Sequence, residues 1–314
     1  MSPQETKAEA ITTPSLLPGE LTVDAKIRPS SFGEFVGQER TKKLLNRVLQ
    51  AAAQREEPPE HMLLVAPPGT GKTALARIVR GDHGREINAA MDGTSSRFAD
   101  AVKWALFVPN LRFIHLEELH DLPRRSQEML YPLLEDGDFS LPGGGLFHHS
   151  KLSVVGTTTD LGRLSTPFVQ RFRVYRLDEY SLSDVQTIIL RAAPKLNVDI
   201  VPEAATEIAL RARAIPRIAN RLLRIVRDFG DPITPELAKQ SLDEVGIDKH
   251  GLDLFDWKYI KFLVAHDNRA SLSTLAAALG EATQTVERVY EPYLIKMGLI
   301  DRFTGGRRLL RLPS

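Results

Sequence analysis

The chain has 314 residues, of which 42% are hydrophobic and 26% charged, ordinary values for a globular protein of two or three domains. Its 41 Lys and Arg residues nearly balance 40 Asp and Glu residues, so the net charge of +1 does not by itself indicate a polyanionic partner. The absence of cysteine excludes disulfides, thiolate metal sites and thiol nucleophiles, and no apolar run resembles a signal peptide or a membrane span, so we expect a cytoplasmic protein without membrane contact.

Residues 1–24 mix Pro, Ser, Thr and Glu without periodicity, which predicts a mobile tail. Between Gln38 and Glu56, apolar residues recur at helical spacing, which predicts an amphipathic helix that the prolines of EPPEH end. The apolar run HMLLVA is typical of a buried strand, and TALARIVRG predicts a helix that stops at Gly81. A strand, a glycine-rich loop and a helix therefore follow one another.

The loop between this strand and this helix, PPGTGKT, has the pattern of a phosphate-binding loop. Gly69 and Gly71 let backbone N–H groups curl around phosphate oxygens, and the following helix directs its positive end at the anion. Lys72 can reach the terminal phosphates, and the Thr73 hydroxyl can ligate magnesium. Ala66 stands where the pattern normally begins with glycine, a change that is tolerated if φ is negative there. A chance glycine turn is the alternative, but the flanking strand and helix favour a nucleotide site.

Two further apolar runs, LRFIHL and KLSVVGTTT, each end in polar residues and predict two more strands. Strands that alternate with helices indicate an α/β fold, with a parallel sheet covered by helices on both faces. Between these two runs, EDGDFSLPGGGLFHHSKL places a glycine-rich turn between short apolar pieces, which predicts a hairpin. Trp104 and Trp257 lie in helical patterns, and we expect both in the core.

After about Tyr180 the strand pattern stops, and four successive amphipathic segments predict a small helical domain. From Leu252, three helical segments lead into LIDRFTGGRRLLRLP, whose Gly-Gly turn predicts a hairpin, so this region has the outline of a winged helix-turn-helix. Against one acid, Asp301, this hairpin carries four arginines: Arg302, Arg307, Arg308 and Arg311. Local positive charge suits contacts with DNA phosphates, and a solubilising C-terminus is the alternative.

Several segments together resemble the RuvB family of AAA+ motors, which drive branch migration at Holliday junctions. They are RPSSFGEFVGQERTKKLL, PPGTGKTALA, YPLLEDG, GTTTDLGRLSTPFVQRF, IPRIANRLLRIVRDF and EPYLIKMGLIDR. The likeness runs from about Lys26 to Leu310. It implies an AAA+ P-loop ATPase, with a parallel sheet and flanking helices, followed by a helical lid and a winged-helix domain. It also implies a homo-oligomer, a hexameric ring on double-stranded DNA that RuvA loads at a junction.

With this resemblance, the chain divides into four predicted segments. They are a flexible tail over residues 1–24, a large AAA+ ATPase domain over 25–180, a helical lid over 181–250 and a winged-helix DNA-binding domain over 251–314.

The resemblance also implies a role for individual residues. Glu118 matches the glutamate that activates water, Glu117 the acidic residue on the metal side, Thr159 the sensor after the third strand, and Arg171 the arginine finger that enters a neighbouring subunit's site. Thr73 and Glu117 would hold Mg2+. The implied nucleotide contacts are Ile27, Arg28, Gly69, Gly71, Lys72, Thr73, Ala74, Tyr180 and Arg217. The implied DNA contacts are Arg302 and Arg307, and the local positive charge of the hairpin adds Arg308 to the predicted DNA-binding residues.

Three departures from the family pattern bear on function. Glu117 replaces the usual aspartate, and its extra methylene moves the carboxylate by about 1.5 Å, a distance that matters because Mg2+ tolerates little distortion. We expect both ATP binding and hydrolysis to persist, with hydrolysis slower, because this carboxylate commonly holds the metal through water. The hairpin segment GDFSLPGGGLFHHSK is shorter than the hairpin with which the family binds its partner, which argues against a RuvA-like partner. Asp160 stands where arginine usually follows the sensor.

The leading hypothesis is an ATP-dependent DNA motor that uses ATP and Mg2+ to translocate duplex DNA in branch migration, recombination or related processing. The alternative is an ATP-gated DNA-binding scaffold or loader, as in phage or mobile-element proteins, with slow hydrolysis and no branch migration. A third hypothesis is a nucleotide-dependent adaptor that recruits a nuclease or transposase. The sequence leaves open the preferred DNA structure, the number of subunits and the partner.

Overall fold

The computed structural model describes residues 11–14, 20–89, 95–140, 145–149 and 151–313. Contacts divide the chain into two units. One is Arg28–Glu179, and the other combines the residues up to Ile27 with those from Tyr180 onward. Within the described residues, no helix has both the length and the apolar character needed to cross a membrane.

The strands are β1 (Met62–Val65), β2 (Gly84–Asn88), β3 (Phe113–Glu117), β4 (Asp138–Ser140), β5 (Leu146–His148), β6 (Ser153–Thr158), β7 (Arg173–Arg176), β8 (Arg269–Ala270), β9 (Ile300–Phe303) and β10 (Gly306–Leu309). The helices are α1 (Glu20–Ile27), α2 (Glu39–Arg55), α3 (Lys72–Arg80), α4 (Ser95–Leu106), α5 (Arg124–Met129), α6 (Tyr131–Glu135), α7 (Thr166–Val169), α8 (Leu182–Lys195), α9 (Pro202–Arg211), α10 (Pro216–Arg227), α11 (Pro235–Glu244), α12 (Leu254–Ala265), α13 (Leu272–Leu279), α14 (Thr283–Thr285) and α15 (Glu291–Lys296).

A five-stranded sheet with the order β2-β3-β6-β1-β7 forms the centre of the unit Arg28–Glu179, and all of its strand pairs are parallel. Side chains of β1 alternate between two buried clusters, since Leu63 and Val65 pack in one and Met62 and Leu64 in the other. Helix α4 contributes to the first cluster, and α2 and α3 contribute to the second. The predicted parallel sheet with helices on both faces is confirmed. Because its strands are parallel, their carboxyl ends meet at one edge, where α/β proteins bind their ligands.

The second unit contains a helical lid and a winged-helix domain. Helices α8 to α11 bury one hydrophobic cluster, with Ile189, Ile208 and Leu222 at its centre. Helices α12, α13 and α15 bury another cluster, which β9 completes. Strands β8, β10 and β9 form an antiparallel sheet, so the predicted C-terminal hairpin is confirmed.

The N-terminal segment differs from the expected mobile tail where the structure describes it. Residues from Glu20 begin helix α1, and the buried Glu20 carboxylate accepts hydrogen bonds from Arg221 at 2.8 and 2.9 Å and pairs with Arg224. Further upstream, the Thr12 hydroxyl donates to Asp253 Oδ2 at 2.6 Å. A buried carboxylate must be paired, and the basic face of α10 supplies the partners that fix this segment. The tail prediction is therefore wrong for residues 11–14 and 20–24, while residues 1–10 and 15–19 lie outside the described part.

The hairpin predicted between the second and third sequence-predicted strands is also present. Strands β4 and β5 pair in antiparallel fashion, with Phe139 opposite Phe147, and the turn at residues 141–144 lies outside the described part.

Helix α4 places one of the two tryptophans differently from the prediction. Its buried positions include Phe98, Val102 and Ala105, which follow the helical period. Trp104 falls between them in angle, and 70% of it is exposed, so its assignment to the core is wrong. Trp257 packs at the edge of the winged-helix core and donates its ring N–H to Asp248.

Candidate active site

The loop between β1 and α3 has the curled backbone that a phosphate requires. Gly69 and Gly71 have φ of 77° and 93°, in the left-handed region that glycine adopts without strain. The Lys72 ammonium donates to the Pro67 carbonyl at 2.9 Å, and the Thr70 hydroxyl donates to the same oxygen at 2.7 Å. The lysine is 5% exposed, so its charge is held over the loop at the positive end of α3. This cradle fits a phosphate group.

Two residues predicted to hold magnesium touch each other. The Thr73 hydroxyl, in the first turn of α3, donates to Glu117 Oε1 at 2.5 Å, at the carboxyl end of β3. The other oxygen of Glu117 accepts a long hydrogen bond of 3.5 Å from the side chain of Asn88, at the end of β2. A hydroxyl and a carboxylate are both hard oxygen ligands, and their contact places them within reach of one cation, so the pair fits Mg2+.

Glu118 has an unusual backbone conformation and a half-buried side chain. Its φ is 53°, a left-handed value that costs energy in a residue with a side chain and that is often kept at functional sites. Its N–H donates to the Thr157 hydroxyl at 3.3 Å, which helps to hold this conformation. Burial raises the pKa of the Glu118 carboxyl, against the lowering effects of Lys72 and His120. A carboxylate with a raised pKa is a better proton acceptor, as a general base requires.

His120 joins the end of β3 to the end of β6. Its Nε2 lies 3.3 Å from the Thr159 hydroxyl, and its Nδ1 lies 3.3 Å from the Thr158 hydroxyl. Its Nδ1 is also 3.2 Å from Glu118 Oε2, an ion-pair distance without hydrogen-bond geometry, so this buried oxygen has no hydrogen-bond partner among the described residues. No role for His120 was predicted from the sequence, and this contact was missed. A histidine two residues after a predicted catalytic acid was the available signal.

Arg171 is held by residues of its own unit. Its guanidinium pairs with Glu135, donates from Nη1 to the Pro167 carbonyl at 2.5 Å, and lies 4.1 Å from the centre of the Tyr131 ring. These partners belong to α6 and α7. The structure therefore brings Thr73, Glu117, Glu118 and Thr159 to one edge of the sheet, and gives Arg171 a separate position.

The remaining predicted nucleotide residues lie in both units. Arg28 and Ala74 belong to the unit with the phosphate loop, where Ala74 packs beside the core. Ile27, Tyr180 and Arg217 belong to the second unit. Tyr180 is buried in the lid core, and Ile27 packs against that core. Arg217 donates to the Pro14 carbonyl at 3.0 Å.

The predicted DNA-binding arginines of the winged helix have unequal exposure. Arg307 is 8% exposed and donates to Glu291 Oε1 at 2.8 Å and to Glu287 Oε1 at 2.6 Å. Arg302 donates to the other oxygen of Glu291 at 2.7 Å, but 44% of its side chain remains exposed. Arg308 faces Asp301 at 3.3 Å and has an exposed fraction of 43%.

Arg307 therefore has a structural position. The Glu291 carboxylate that it neutralises is fully buried, and an unpaired buried carboxylate would be costly. The prediction that Arg307 contacts DNA conflicts with this burial, whereas Arg302 and Arg308 present guanidinium surface to solvent.

Three family models match the chain in succession. The Holliday junction DNA helicase RuvB P-loop domain matches residues 27–177, the RuvB AAA lid domain matches residues 180–248, and the RuvB C-terminal winged helix domain matches residues 249–311.

Curated proteins and solved structures agree with these matches. The Holliday junction branch migration complex subunit RuvB of Rubrobacter xylanophilus is 38% identical over 296 residues, covering 90% of this chain and 83% of that protein. The same subunit of Prochlorococcus marinus is 37% identical over 323 residues, covering 97% and 91%. The solved structure of the Thermotoga maritima RuvB Holliday junction branch migration motor is similar with a TM-score of 0.79 and 34% identity, covering 91% of this chain and 96% of that one.

Proposed function

Because this chain belongs to the RuvB family of AAA+ ATPases, we propose that it is a motor that hydrolyses ATP to move duplex DNA through a ring of identical subunits. Branch migration at Holliday junctions is the activity named for its relatives, and we assign the same activity to this chain. The observation that carries the proposal is the contact between Thr73 and Glu117 beside the half-buried Glu118. This contact places the phosphate loop, the two candidate Mg2+ ligands and a candidate general base at one edge of the sheet.

Binding of ATP begins at the phosphate loop. The backbone N–H groups around Gly69 and Gly71 donate hydrogen bonds to the phosphates. The Lys72 ammonium turns from the Pro67 carbonyl to the terminal phosphates. Thr73 and Glu117 would hold Mg2+, which would neutralise charge on the phosphates. Around the rest of the nucleotide we assign contacts to Ile27, Arg28, Ala74, Tyr180 and Arg217.

Hydrolysis requires a base and a charge-stabilising group. Glu118 accepts the proton of the attacking water, and its burial favours this role because it strengthens the carboxylate as a base. Thr159 contacts the terminal phosphate. Arg171 stabilises the charge that develops on the transferred phosphoryl group in a neighbouring subunit, so assembly is needed for turnover.

Contact with DNA is assigned to the exposed wing arginines. Arg302 and Arg308 reach phosphates, which gives an affinity that falls with salt and depends little on sequence. The hairpin of β4 and β5 is the candidate docking element for a partner protein. Its short length argues against a partner that resembles RuvA.

Steady-state ATPase assays with and without duplex or junction DNA test the motor. We expect DNA to stimulate turnover, and Glu118→Gln to lower kcat about 100-fold or more while ATP still binds. Glu128→Gln is the matched control, because this glutamate is 51% exposed and, within the described part of the chain, pairs with the exposed Arg124. ATP binding without turnover in the wild type would contradict the motor and support an ATP-gated scaffold instead.

A further inference from the structure

One imidazole lies between two groups that the proposed mechanism uses separately. His120 is in the short turn Leu119–Asp121 that follows Glu118, and its side chain is 13% exposed. Its Nε2 faces Thr159 at 3.3 Å, and its Nδ1 faces Glu118 Oε2 at 3.2 Å. The ring thus spans the distance between the carboxyl ends of β3 and β6.

The chemistry of the ring suits such a link. A neutral imidazole has one N–H donor and one acceptor on opposite sides. An ionised carboxylate only accepts, so we assign the N–H to Nδ1, towards Glu118. The Thr159 hydroxyl then donates to Nε2. The Thr158 hydroxyl, 3.3 Å from Nδ1, accepts as well as donates and is compatible with this tautomer.

The Glu118 carboxylate can accept a further hydrogen bond. Its Oε2 is buried without a hydrogen-bond partner among the described residues, although Nδ1 is within ion-pair distance. A small rotation of the ring would give this oxygen the N–H donor that it lacks. A buried acceptor without a donor is unfavourable. The orientation of the His120 ring therefore favours the orientation of the Glu118 carboxylate that accepts its N–H.

The ion pair of Asp121 with Arg163 lies beside the ring. Asp121 Oδ1 lies 3.7 Å from Nε2 and accepts a hydrogen bond of 3.3 Å from Arg163. The carboxylate of Asp121 is thereby directed towards Arg163, and the shorter contact of Nε2 is with Thr159.

We propose that His120 is a positioning residue that couples Thr159 to Glu118. The hydroxyl that contacts the terminal phosphate thereby also directs the carboxylate that activates water. This inference rests on the proposed ATPase function and assigns a role to a residue outside it. We assign His120 no direct contact with phosphate or water; it acts through Thr159 and Glu118, the two residues beside it.

Two substitutions of His120 each remove one of the two contacts of the ring. His120→Asn keeps an amide near the position of Nδ1 and loses the contact with Thr159, and His120→Gln keeps an amide near Nε2 and loses the contact with Glu118. We expect each to lower kcat roughly 10-fold or more and to leave KM for ATP unchanged, because a misdirected base affects chemistry and the phosphate loop is intact. His83→Asn is the control, since His83 is exposed in the same unit. A purely structural role would instead lower the melting temperature and raise KM.

A double-mutant cycle tests the coupling itself. Thr159→Val should lower kcat less in the His120→Asn background than in the wild type, because that background has already lost the link. Independent, multiplying losses, or wild-type kcat in both His120 variants, would overturn the proposal. If the wild type hydrolyses ATP and Glu118→Gln does not, such results contradict only the role proposed for His120. A wild type without turnover contradicts the proposed function instead.

Discussion

The side chain of Glu117 is long enough to reach the hydroxyl of Thr73 directly. Its position at the end of β3 follows from the sequence, because an apolar run that ends in two acids predicts both the strand and the acidic edge. The direct contact of 2.5 Å does not follow from the sequence, since it depends on how α3 and β3 are placed by the sheet. The extra methylene of Glu117 therefore fills the space next to Thr73 that a water molecule would occupy beside a shorter aspartate.

Glu117→Asp tests this interpretation. We expect the Mg2+ concentration for half-maximal ATPase activity to fall about 2- to 5-fold, because a shorter carboxylate leaves Thr73 free and holds the metal through water. Titration of Mg2+ at saturating ATP gives the measurement, and Glu128→Asp is the surface control. A higher Mg2+ requirement in Glu117→Asp would mean that the longer side chain binds the metal better.

At the scale of elements, the central strands and the helices α2, α3 and α8 to α11 are predicted from the sequence, whereas the edge strands and helix α1 are not. The runs that predict β1, β3 and β6 are apolar because these strands are buried on both faces. Strands β2 and β7 lie at the two edges of the sheet, with the sequences GREIN and RVYR, whose charged residues conceal the strand pattern.

Strand β2 depends on contacts that periodicity does not report. Glu86 pairs with Arg77 of α3 and lies 3.3 Å from the buried His115 of β3. Burial alone would raise the pKa of Glu86, but its hydrogen bonds to His115 and Arg77 hold it at about 2. Because β2 was missed, Asn88 at its end was missed as well, although it contacts Glu117.

The wing hairpin provides a prediction at the same scale. Arg307→Ala should destabilise the winged-helix domain by about 3 kcal/mol, because Glu291 stays buried with only Arg302 as its remaining arginine partner. Arg308→Ala should leave stability within about 0.5 kcal/mol, lower DNA affinity, and reduce the salt slope by about one. Thermal melting and DNA titrations at several salt concentrations distinguish the two. Equal destabilisation by both variants would contradict the different positions of these arginines.

At the scale of the whole molecule, the proposed assembly makes each hydrolytic site dependent on two subunits. The sequence predicts Arg171 as the finger only through the family likeness, because an isolated arginine has no pattern of its own. The contacts of Arg171 with Glu135 and Tyr131 occur within one chain and could not be predicted, since 36 residues separate Arg171 from Glu135.

Mixing of two inactive variants tests the finger. Arg171→Ala subunits keep Glu118 and lack the finger, whereas Glu118→Gln subunits lack the base and keep the finger. We expect each alone to be inactive and the mixture to recover a measurable fraction of wild-type ATPase activity, since one type of interface then has both groups. A mixture of Arg171→Ala with the double variant Arg171→Ala/Glu118→Gln should recover none. No recovery in the first mixture would contradict a finger that acts between subunits.

The ion pair of Arg171 with Glu135 has a consequence for how the proposed ATPase returns to its starting state after each hydrolysis. The Glu135 side chain is 51% exposed, and pairs of this exposure contribute on the order of 0–1 kcal/mol. If Arg171 is the finger that we propose, a triphosphate in the neighbouring subunit's site, with several negative charges, would compete effectively for the guanidinium. The arginine would then exchange one counter-ion for another. After phosphate departs, Glu135 would pair with it again, so each turnover would restore the contacts from which the next one starts.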